Sequence, residues 1–199
     1  MSEIIVPDIG FNMIDDAHVY DMEESIRAAK YSHNKAERCT SELTDGIRKL
    51  ALAPIGSGHD CFLKGIRVSF DLRLSLKAWM EAERYGFFDI VTSESTMHSV
   101  RFASVLDICE NDYVDPLVAG ILVEKIEKFN DSPNEENFLG MIYNIPVGFM
   151  LTARISTNYM QLKTIYAQRK AHRLPEWRKF CEWIEYLPES WMITGKEDE

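Results

Sequence analysis

Apolar and polar residues recur along the chain with spacings that predict both helices and strands. Apolar residues three or four positions apart predict helices, which are expected over Met22–Tyr31, Ser41–Leu52, Ser75–Tyr85, Asp115–Phe129 and Asn137–Tyr143. Alternation predicts a strand over Phe62–Leu72, and a run rich in β-branched residues predicts a second strand over Pro146–Ser156. Two further helices are expected, one from Asn158 and one over Pro175–Leu187. This order of elements is typical of a single α/β (α+β) domain.

End signals and side-chain positions refine these predictions. Ser41 is a plausible helix cap, and Asp115 followed by Pro116 is a strong helix start. Trp79 and Met80 are both expected to face the core. The segment from Phe87 to His98 has no clear period and is expected to be irregular.

The helix after Asn158 carries polar side chains among apolar ones. Asn158 and Arg169 are eleven positions apart and so share a helix face, and Gln161, Gln168 and His172 lie close to that face. An amide, a guanidinium and an imidazole on one face suit a planar, anionic ligand such as a nucleotide or a flavin. The alternative is an ordinary solvated face with a few charges, and the helix alone favours that alternative.

Composition and charge narrow the classes of partner. The chain has 199 residues, with 46% hydrophobic and 27% charged residues, as in ordinary globular domains. Its formal net charge of -10 argues against a nucleic-acid duplex or an anionic membrane as the main partner. A small anionic ligand remains compatible, because it needs only a few local cations. Residues 195–199 are expected to form an acidic tail.

The four cysteines, Cys39, Cys61, Cys109 and Cys181, have no metal-binding spacing and are expected to be reduced thiols. The start of the chain has no signal-peptide pattern, and no apolar run reaches the ~18 residues of a membrane span. A soluble, cytoplasmic protein is therefore expected. No nucleophile elbow, phosphate-binding loop or zinc motif is present, and no metal is expected.

Short segments in a fixed order carry a family resemblance. They read AAKYS from Ala28, GHDCF from Gly58, EAERYG from Glu81 and SESTMH from Ser93. Ile145-Pro146 and then Asn158, Arg169 and His172 follow them. In this order the chain resembles the flavin-dependent thymidylate synthases (the ThyX type) over about residues 4–187. Each segment alone has an ordinary structural explanation, such as helix packing, a turn or a self-capping loop.

The resemblance implies a ThyX-like fold, with a mixed or antiparallel sheet flanked by helices in one domain. It also implies a homotetramer with shared active sites. The implied activity transfers a one-carbon group to the pyrimidine deoxynucleotide dUMP. FAD would be the cofactor, with NADPH and methylene-tetrahydrofolate as co-substrates. No protein nucleophile is expected in that family, so the missing catalytic serine or cysteine is no objection.

The resemblance also assigns roles to residues. Arg169 matches the catalytic arginine that contacts and polarises the pyrimidine. The residues expected to bind the cofactor are Arg84, Asn158, His172, Lys64, Ser32 and His59. The residues expected to bind the nucleotide are Glu81, Glu94, Ser95, His98 and Arg154.

The chain departs from the family pattern at several cationic positions. Tyr85 and Gly86 replace the last two residues of the family's Arg-His-Arg triplet, and Met97-His98 replaces a closing Arg-Tyr. Each lost charge-assisted hydrogen bond is worth ~1.5–3 kcal/mol, so Arg154, His98 or Lys64 would have to compensate. An alternative is therefore a relative that binds a nucleotide or a protein partner and lacks synthase activity.

Overall fold

We describe the chain from a computed structural model, which covers residues 2–8 and 10–196. The strands are β1 (Glu3–Ile5), β2 (Ile14–Tyr20), β3 (Arg67–Ser75), β4 (Asp89–Ser93) and β5 (Met150–Asn158). They form a five-stranded antiparallel sheet in the order β1-β2-β3-β5-β4. Residues 197–199 of the expected acidic tail lie outside the described residues.

Helices separate strands β2 to β5 and follow the last strand. They are α1 (Met22–Ala28), α2 (Asp45–Ala51), α3 (Leu76–Ala82), α4 (Thr96–Ser99), α5 (Val105–Ile108), α6 (Pro116–Asp131), α7 (Glu135–Ile142), α8 (Tyr159–Arg169), α9 (Pro175–Ile184) and α10 (Trp191–Thr194). The predicted α/β class, with a sheet and helices, is confirmed.

Helix starts are where sequence signals were most useful. The side chain of Asp115 caps α6 by accepting a hydrogen bond from the Leu117 amide, with Pro116 in the first turn, as predicted. The cap of α2 was predicted wrongly. Thr44, not Ser41, accepts a hydrogen bond from the Ile47 amide, so this helix begins later than its apolar pattern suggested.

Two predictions around β3 and α3 were also wrong. Residues Cys61–Gly65 form a turn of 3-10 helix that packs against α1 and α8, and the strand begins only after it. Met80 is 57% exposed, whereas Trp79 is buried and donates an indole hydrogen bond to the Leu151 carbonyl at 3.0 Å. Neighbouring helical positions point about 100° apart, so burial of Trp79 does not require burial of Met80.

Strand β2 was not predicted, because its alternation is interrupted. Its register with β3 shifts between Asp15 and His18, and Asp16 has a φ of 48°. Such a β-bulge adds one residue and moves the following side chains to the other face. Ile14, Ala17 and Val19 are all buried, although their spacing does not fit a regular strand.

The described chain divides into two compact units. Of the described residues, the first comprises 2–8, 10–72, 85–91 and 154–196. Its core contains the rings of Phe70, Phe180 and Trp183, with centroids 4.9–5.8 Å apart. Aromatic contacts at these distances add to the stabilisation from burying the rings.

The second unit comprises Arg73–Arg84 and Thr92–Ala153. Helix α6 buries Ala119, Leu122 and Ile126 in its core. The unit also has exposed large apolar side chains, which include Phe102, Leu106, Tyr113, Leu117, Ile121 and Tyr143.

Helix α6 is the longest helix of the described residues, with 16 residues. A bilayer-spanning helix needs ~20 consecutive apolar residues. Within residues 2–8 and 10–196, no helix has the length and apolar character to cross a membrane.

Candidate functional site

Ser32 and His59, which are far apart in the sequence, line the same hollow of the first unit. This hollow has a volume of about 530 Å³ and is lined by the end of α1 and by the turn around Gly58. His33 and Cys61 also line it. The volume lies within the range of small-molecule sites, about 300–1,000 Å³.

A second hollow of about 460 Å³ shares Ala29, His33 and Leu50 with the first one. Its lining adds Lys30 and Arg38. The Lys30 ammonium donates a hydrogen bond to the Glu42 carbonyl at 2.7 Å. In a chain of net charge -10, this part of the surface therefore gathers cations and polar donors.

The loop that carries His59 is anchored to α8 by a buried ion pair. The Lys163 ammonium donates hydrogen bonds to the Ala51 and Ala53 carbonyls, each at 2.7 Å. It also lies 2.9 Å from Asp60 Oδ2, and the Asp60 side chain is fully buried. Both ends of segment 53–60 are thus fixed, although its glycines and proline predicted only a turn.

Asn158 is the N-cap of α8. Its side-chain oxygen accepts a hydrogen bond from the Gln161 amide at 3.0 Å, and its Nδ2 donates to Gln161 Oε1 at 2.7 Å. Part of the polar face predicted from the sequence therefore serves to begin the helix. The role of Asn158 in cofactor binding stays a prediction.

At the other end of α8, Arg169 lies against two aromatic rings, Tyr85 and Trp177, which we call the aromatic corner. Its guanidinium carbon is 4.2 Å from the Tyr85 ring centroid and 4.9 Å from that of Trp177. The Tyr85 hydroxyl donates a hydrogen bond to the Gln168 side chain. Trp177 is fully buried, and its indole N–H has no hydrogen-bond acceptor among the described residues.

His172 adjoins the same tryptophan. Its ring is 6.4 Å from that of Trp177 at an interplanar angle of 77°. Its Nδ1 accepts a hydrogen bond from the Leu174 amide at 3.2 Å, which assigns the ring proton to Nε2 in the neutral form. Arg169 and His172, which are joined by a backbone hydrogen bond of 2.9 Å, thus both lie against Trp177, a residue that the sequence motifs had not singled out.

Arg154 points to acidic neighbours. Its Nη1 lies 2.7 Å from Asp16 Oδ2 and 3.3 Å from Asp71 Oδ1. Hydrogen bonding by His18, with a smaller contribution from Arg154, lowers the pKa of Asp16. A phosphate would have to compete with two carboxylates for this guanidinium, so Arg154 is a weaker substitute for a missing cation than the sequence suggested.

The remaining predicted positions are exposed or make contacts within their own unit. In the first unit, Lys64 is exposed in the 3-10 turn. In the second unit, Glu81 pairs with Lys77 at 3.2 Å, and the Glu94 carboxylate accepts a hydrogen bond from the Thr152 amide at 2.7 Å. Ser95 precedes α4, where its carbonyl accepts from the His98 amide, and both Arg84 and His98 are exposed. Their proposed ligand contacts stay predictions.

Sequence reasoning missed Arg73. Its guanidinium forms an ion pair with Glu110, donates to Thr152 Oγ1 at 3.1 Å and lies 3.6 Å from Glu94 Oε2. The hydrogen bond that Arg73 donates to Glu110 raises the pKa of Arg73, and burial opposes the shift. The predicted strand ended at Leu72, so no pattern marked this residue as an internal partner of Glu94.

No three His, Cys, Asp or Glu side chains within residues 2–8 and 10–196 are grouped so that they could hold a metal ion. The four cysteines are free thiols. Burial raises the pKa of Cys181 to about 12, so this thiol is a poor nucleophile near neutral pH. The groups that could bind or polarise a ligand are instead the hydrogen-bond donors that line the two hollows, together with Arg169 and His172.

Comparison with known proteins finds matches among solved structures only. No family model and no curated protein sequence matches the chain. A crystal structure of Thymidylate Synthase X (ThyX) from Helicobacter pylori with FAD and dUMP matches with a TM-score of 0.71 and 16% identity, over 92% of this chain and 96% of that chain. A second structure of that flavin-dependent synthase with FAD and dUMP gives 0.67 and 16% identity, over 98% and 97%.

A more distant match is the UMP/dUMP methylase PolB from Streptomyces cacaoi bound with 5-Br dUMP. It has a TM-score of 0.57 and 16% identity, over 89% of this chain and 95% of that chain. At such identities the likeness establishes the fold and leaves the activity open. The chain therefore has a ThyX-like fold.

Proposed function

We propose that this protein is a flavin-dependent enzyme that transfers a one-carbon group to a pyrimidine deoxynucleotide, with dUMP as the substrate. The observation that carries the proposal is the position of Arg169, whose guanidinium lies in the aromatic corner beside His172. The solved structures of this fold that hold FAD and dUMP support the same assignment.

The hollows of the first unit fit part of a dinucleotide cofactor. Ser32 and His59 offer a hydroxyl and an imidazole, and Lys30 and Arg38 offer cations near them. Such donors suit the oxygens of a diphosphate. When bound, FAD would supply the redox chemistry, with NADPH as the electron source.

The residues of the chain would orient and polarise the nucleotide. Arg169 would donate to a carbonyl oxygen of the pyrimidine and stabilise negative charge as carbon 5 attacks the one-carbon unit. The carbon-5 proton would leave, the bond between the methylene and the folate nitrogen would break to release tetrahydrofolate, and a hydride equivalent from NADPH would complete the methyl group. No protein nucleophile is required, which agrees with the raised pKa of the Cys181 thiol.

A second candidate is a nucleotide- or partner-binding protein without synthase activity. Two observations favour it: Arg154 is already paired with Asp16 and Asp71, and Tyr85-Gly86 stand where the family has cations. Weaker phosphate binding would lower the affinity for a nucleotide and would leave the fold unchanged.

We also propose a homotetramer in the cytoplasm, with shared active sites and no nucleic-acid partner. The exposed apolar side chains of the second unit, among them Leu106 and Leu117, would be covered in such an assembly. The net charge of -10 supports the absence of a nucleic-acid partner.

The test begins with flavin binding. The purified protein is expected to be yellow or to take up added FAD, and then to release the carbon-5 hydrogen of dUMP when the folate and NADPH are present. Arg169→Ala should abolish turnover, whereas Arg48→Ala should not. Arg48 is a matched control because it also packs on an aromatic ring, that of Trp191, at 4.6 Å. A protein that binds dUMP but never FAD would favour the second candidate, and one that binds neither would overturn the enzyme and leave only the partner-binding form of the second candidate.

A further inference from the structure

We infer that Tyr85 and Trp177 are positioning residues, which fix the Arg169 guanidinium in one orientation before any ligand binds. The inference rests on the proposed function, since it concerns how the same site is prepared. It gives a role to Tyr85, whose ring contacts the guanidinium of Arg169.

The geometry of the aromatic corner restricts the guanidinium in two directions. The guanidinium carbon is 4.2 Å and 4.9 Å from the two ring centroids, which are 6.2 Å from each other. These three distances form a triangle with a nearly right angle at Arg169, so the rings lie on adjacent sides of the cation and not on opposite sides. Contact with one ring would leave the guanidinium free to slide, whereas two rings at an angle define its position.

Each ring of the corner is itself held. The Tyr85 hydroxyl is bound to Gln168, the neighbour of Arg169 on α8, and its ring meets Phe87 edge-on at 5.0 Å. Trp177 is fully buried and lies parallel to Phe88, with centroids 6.1 Å apart and an interplanar angle of 5°. The corner is therefore a rigid support.

Fixing the guanidinium favours binding of a ligand with oxygens in a matching plane. An arginine that is mobile before binding loses rotamer freedom when it clamps a ligand, and an arginine that is already ordered loses less. Guanidinium donors all lie in one plane, so setting that plane also sets which ligand oxygens can be reached.

The first experiment needs no ligand. In protein labelled with ¹⁵N-arginine, the Arg169 Nε–H resonance is expected to be a single line displaced by the ring currents of Tyr85 and Trp177. Tyr85→Leu should move this line toward the position of exposed arginines, whereas Tyr85→Phe, which keeps the ring, should leave it displaced. A line at the ordinary arginine position in the unmodified protein would overturn the inference.

The second experiment couples the corner to binding. Tyr85→Leu should weaken dUMP binding, measured by calorimetry, about tenfold, which is about 1.4 kcal/mol. In an Arg169→Lys background the same change should cost less than about twofold, because an ammonium has no plane to be set. Equal losses in both backgrounds would mean that Tyr85 acts on the fold and not through Arg169.

Phe129→Leu is the structural control, because the Phe129 ring packs on Phe138, with centroids 5.6 Å apart, and is not part of the corner. It should lower the melting temperature without changing the coupling between Tyr85 and Arg169. If the unmodified protein binds neither FAD nor dUMP, the proposed function fails while the resonance experiment still decides the corner. If it binds both and the Arg169 line is ordinary, only the positioning role fails.

Discussion

The buried pair of Lys163 and Asp60 gives the sharpest prediction about stability. Lys163→Met removes the partner of a fully buried carboxylate and the donor to the Ala51 and Ala53 carbonyls. Breaking a buried ion pair by removing one partner costs ~3–5 kcal/mol. A chain of this size has a free energy of unfolding of about 5–15 kcal/mol, so the variant should lose a large share of it.

The structure also predicts how much of this loss in stability comes from leaving the Asp60 carboxylate without its partner. The double variant Lys163→Met with Asp60→Leu removes both charges and leaves only the two carbonyls without their donor. Each carbonyl costs about 1–3 kcal/mol at most, and replacing a buried pair by apolar groups is often neutral. The double variant should therefore be more stable than Lys163→Met alone.

Urea unfolding followed by circular dichroism measures both free energies. At about 2–4 °C per kcal/mol, the single variant should melt about 6–20 °C lower than the unmodified protein. Lys179→Met, which replaces an exposed lysine of α9, is the control and should stay within about 0.5 kcal/mol. A loss below about 1 kcal/mol for Lys163→Met, or a double variant less stable than the single one, would refute the reasoning.

Three further predictions concern other contacts. Asn158→Ala removes the N-cap of α8 and should lower the free energy of unfolding by about 0.5–2 kcal/mol without any ligand, as measured in urea. Hydrogen bonds from Ser2 lower the pKa of Glu24 from 4.5 to about 2. The contribution of Glu24 to the free energy of unfolding is therefore complete above pH 4.5 and is lost as the pH falls toward 2. In Glu24→Gln the melting temperature should depend less on pH over that range. Gly65→Ala should cost about 1–3 kcal/mol, because the added methyl group would overlap Ser25 Oγ, and Ser25→Ala should recover part of the loss.

Each of these has an outcome that contradicts it. The exposed Asn12→Ala should change stability by less than about 0.5 kcal/mol, and an equal effect for Asn158→Ala would deny the cap. Glu23→Gln is the neighbouring control for Glu24. If the melting temperature depends on pH in the same way in both variants, the contact with Ser2 is not the cause of the pH dependence. If Ser25→Ala does not recover any of the stability lost in Gly65→Ala, the overlap with Ser25 is not the cause of the loss.

Sequence periodicity predicted the fold where one element buries one regular face. It identified α6 through Asp115 and Pro116, and it placed α8 directly after a β-branched strand. It failed at β2, because the bulge at Asp16 breaks the alternation on which strand prediction depends. It also failed at Met80, because a spacing pattern cannot tell which of two adjacent apolar residues faces the core.

The candidate site was predictable only as an ordered set of motifs. That order drew attention to Ser32 and His59, and the structure places them on one hollow. No motif indicated the packing of Arg169 on Trp177, since this contact depends on how α9 folds back on α8. Arg154 shows a second limit of prediction from sequence, because a sequence does not indicate which carboxylates will pair with a cationic side chain in the fold.

The exposed apolar side chains of the second unit set the conditions under which the protein can be handled. Near its isoelectric point of about 5.0 the repulsion between copies disappears, while side chains such as Phe102 and Leu106 stay 76% and 82% exposed on the single chain. Colloidal stability should therefore be lowest close to pH 5 and recover on either side of it. Acid titrations of Glu24 are best started by rapid dilution to low pH, so that the protein does not dwell where it would precipitate.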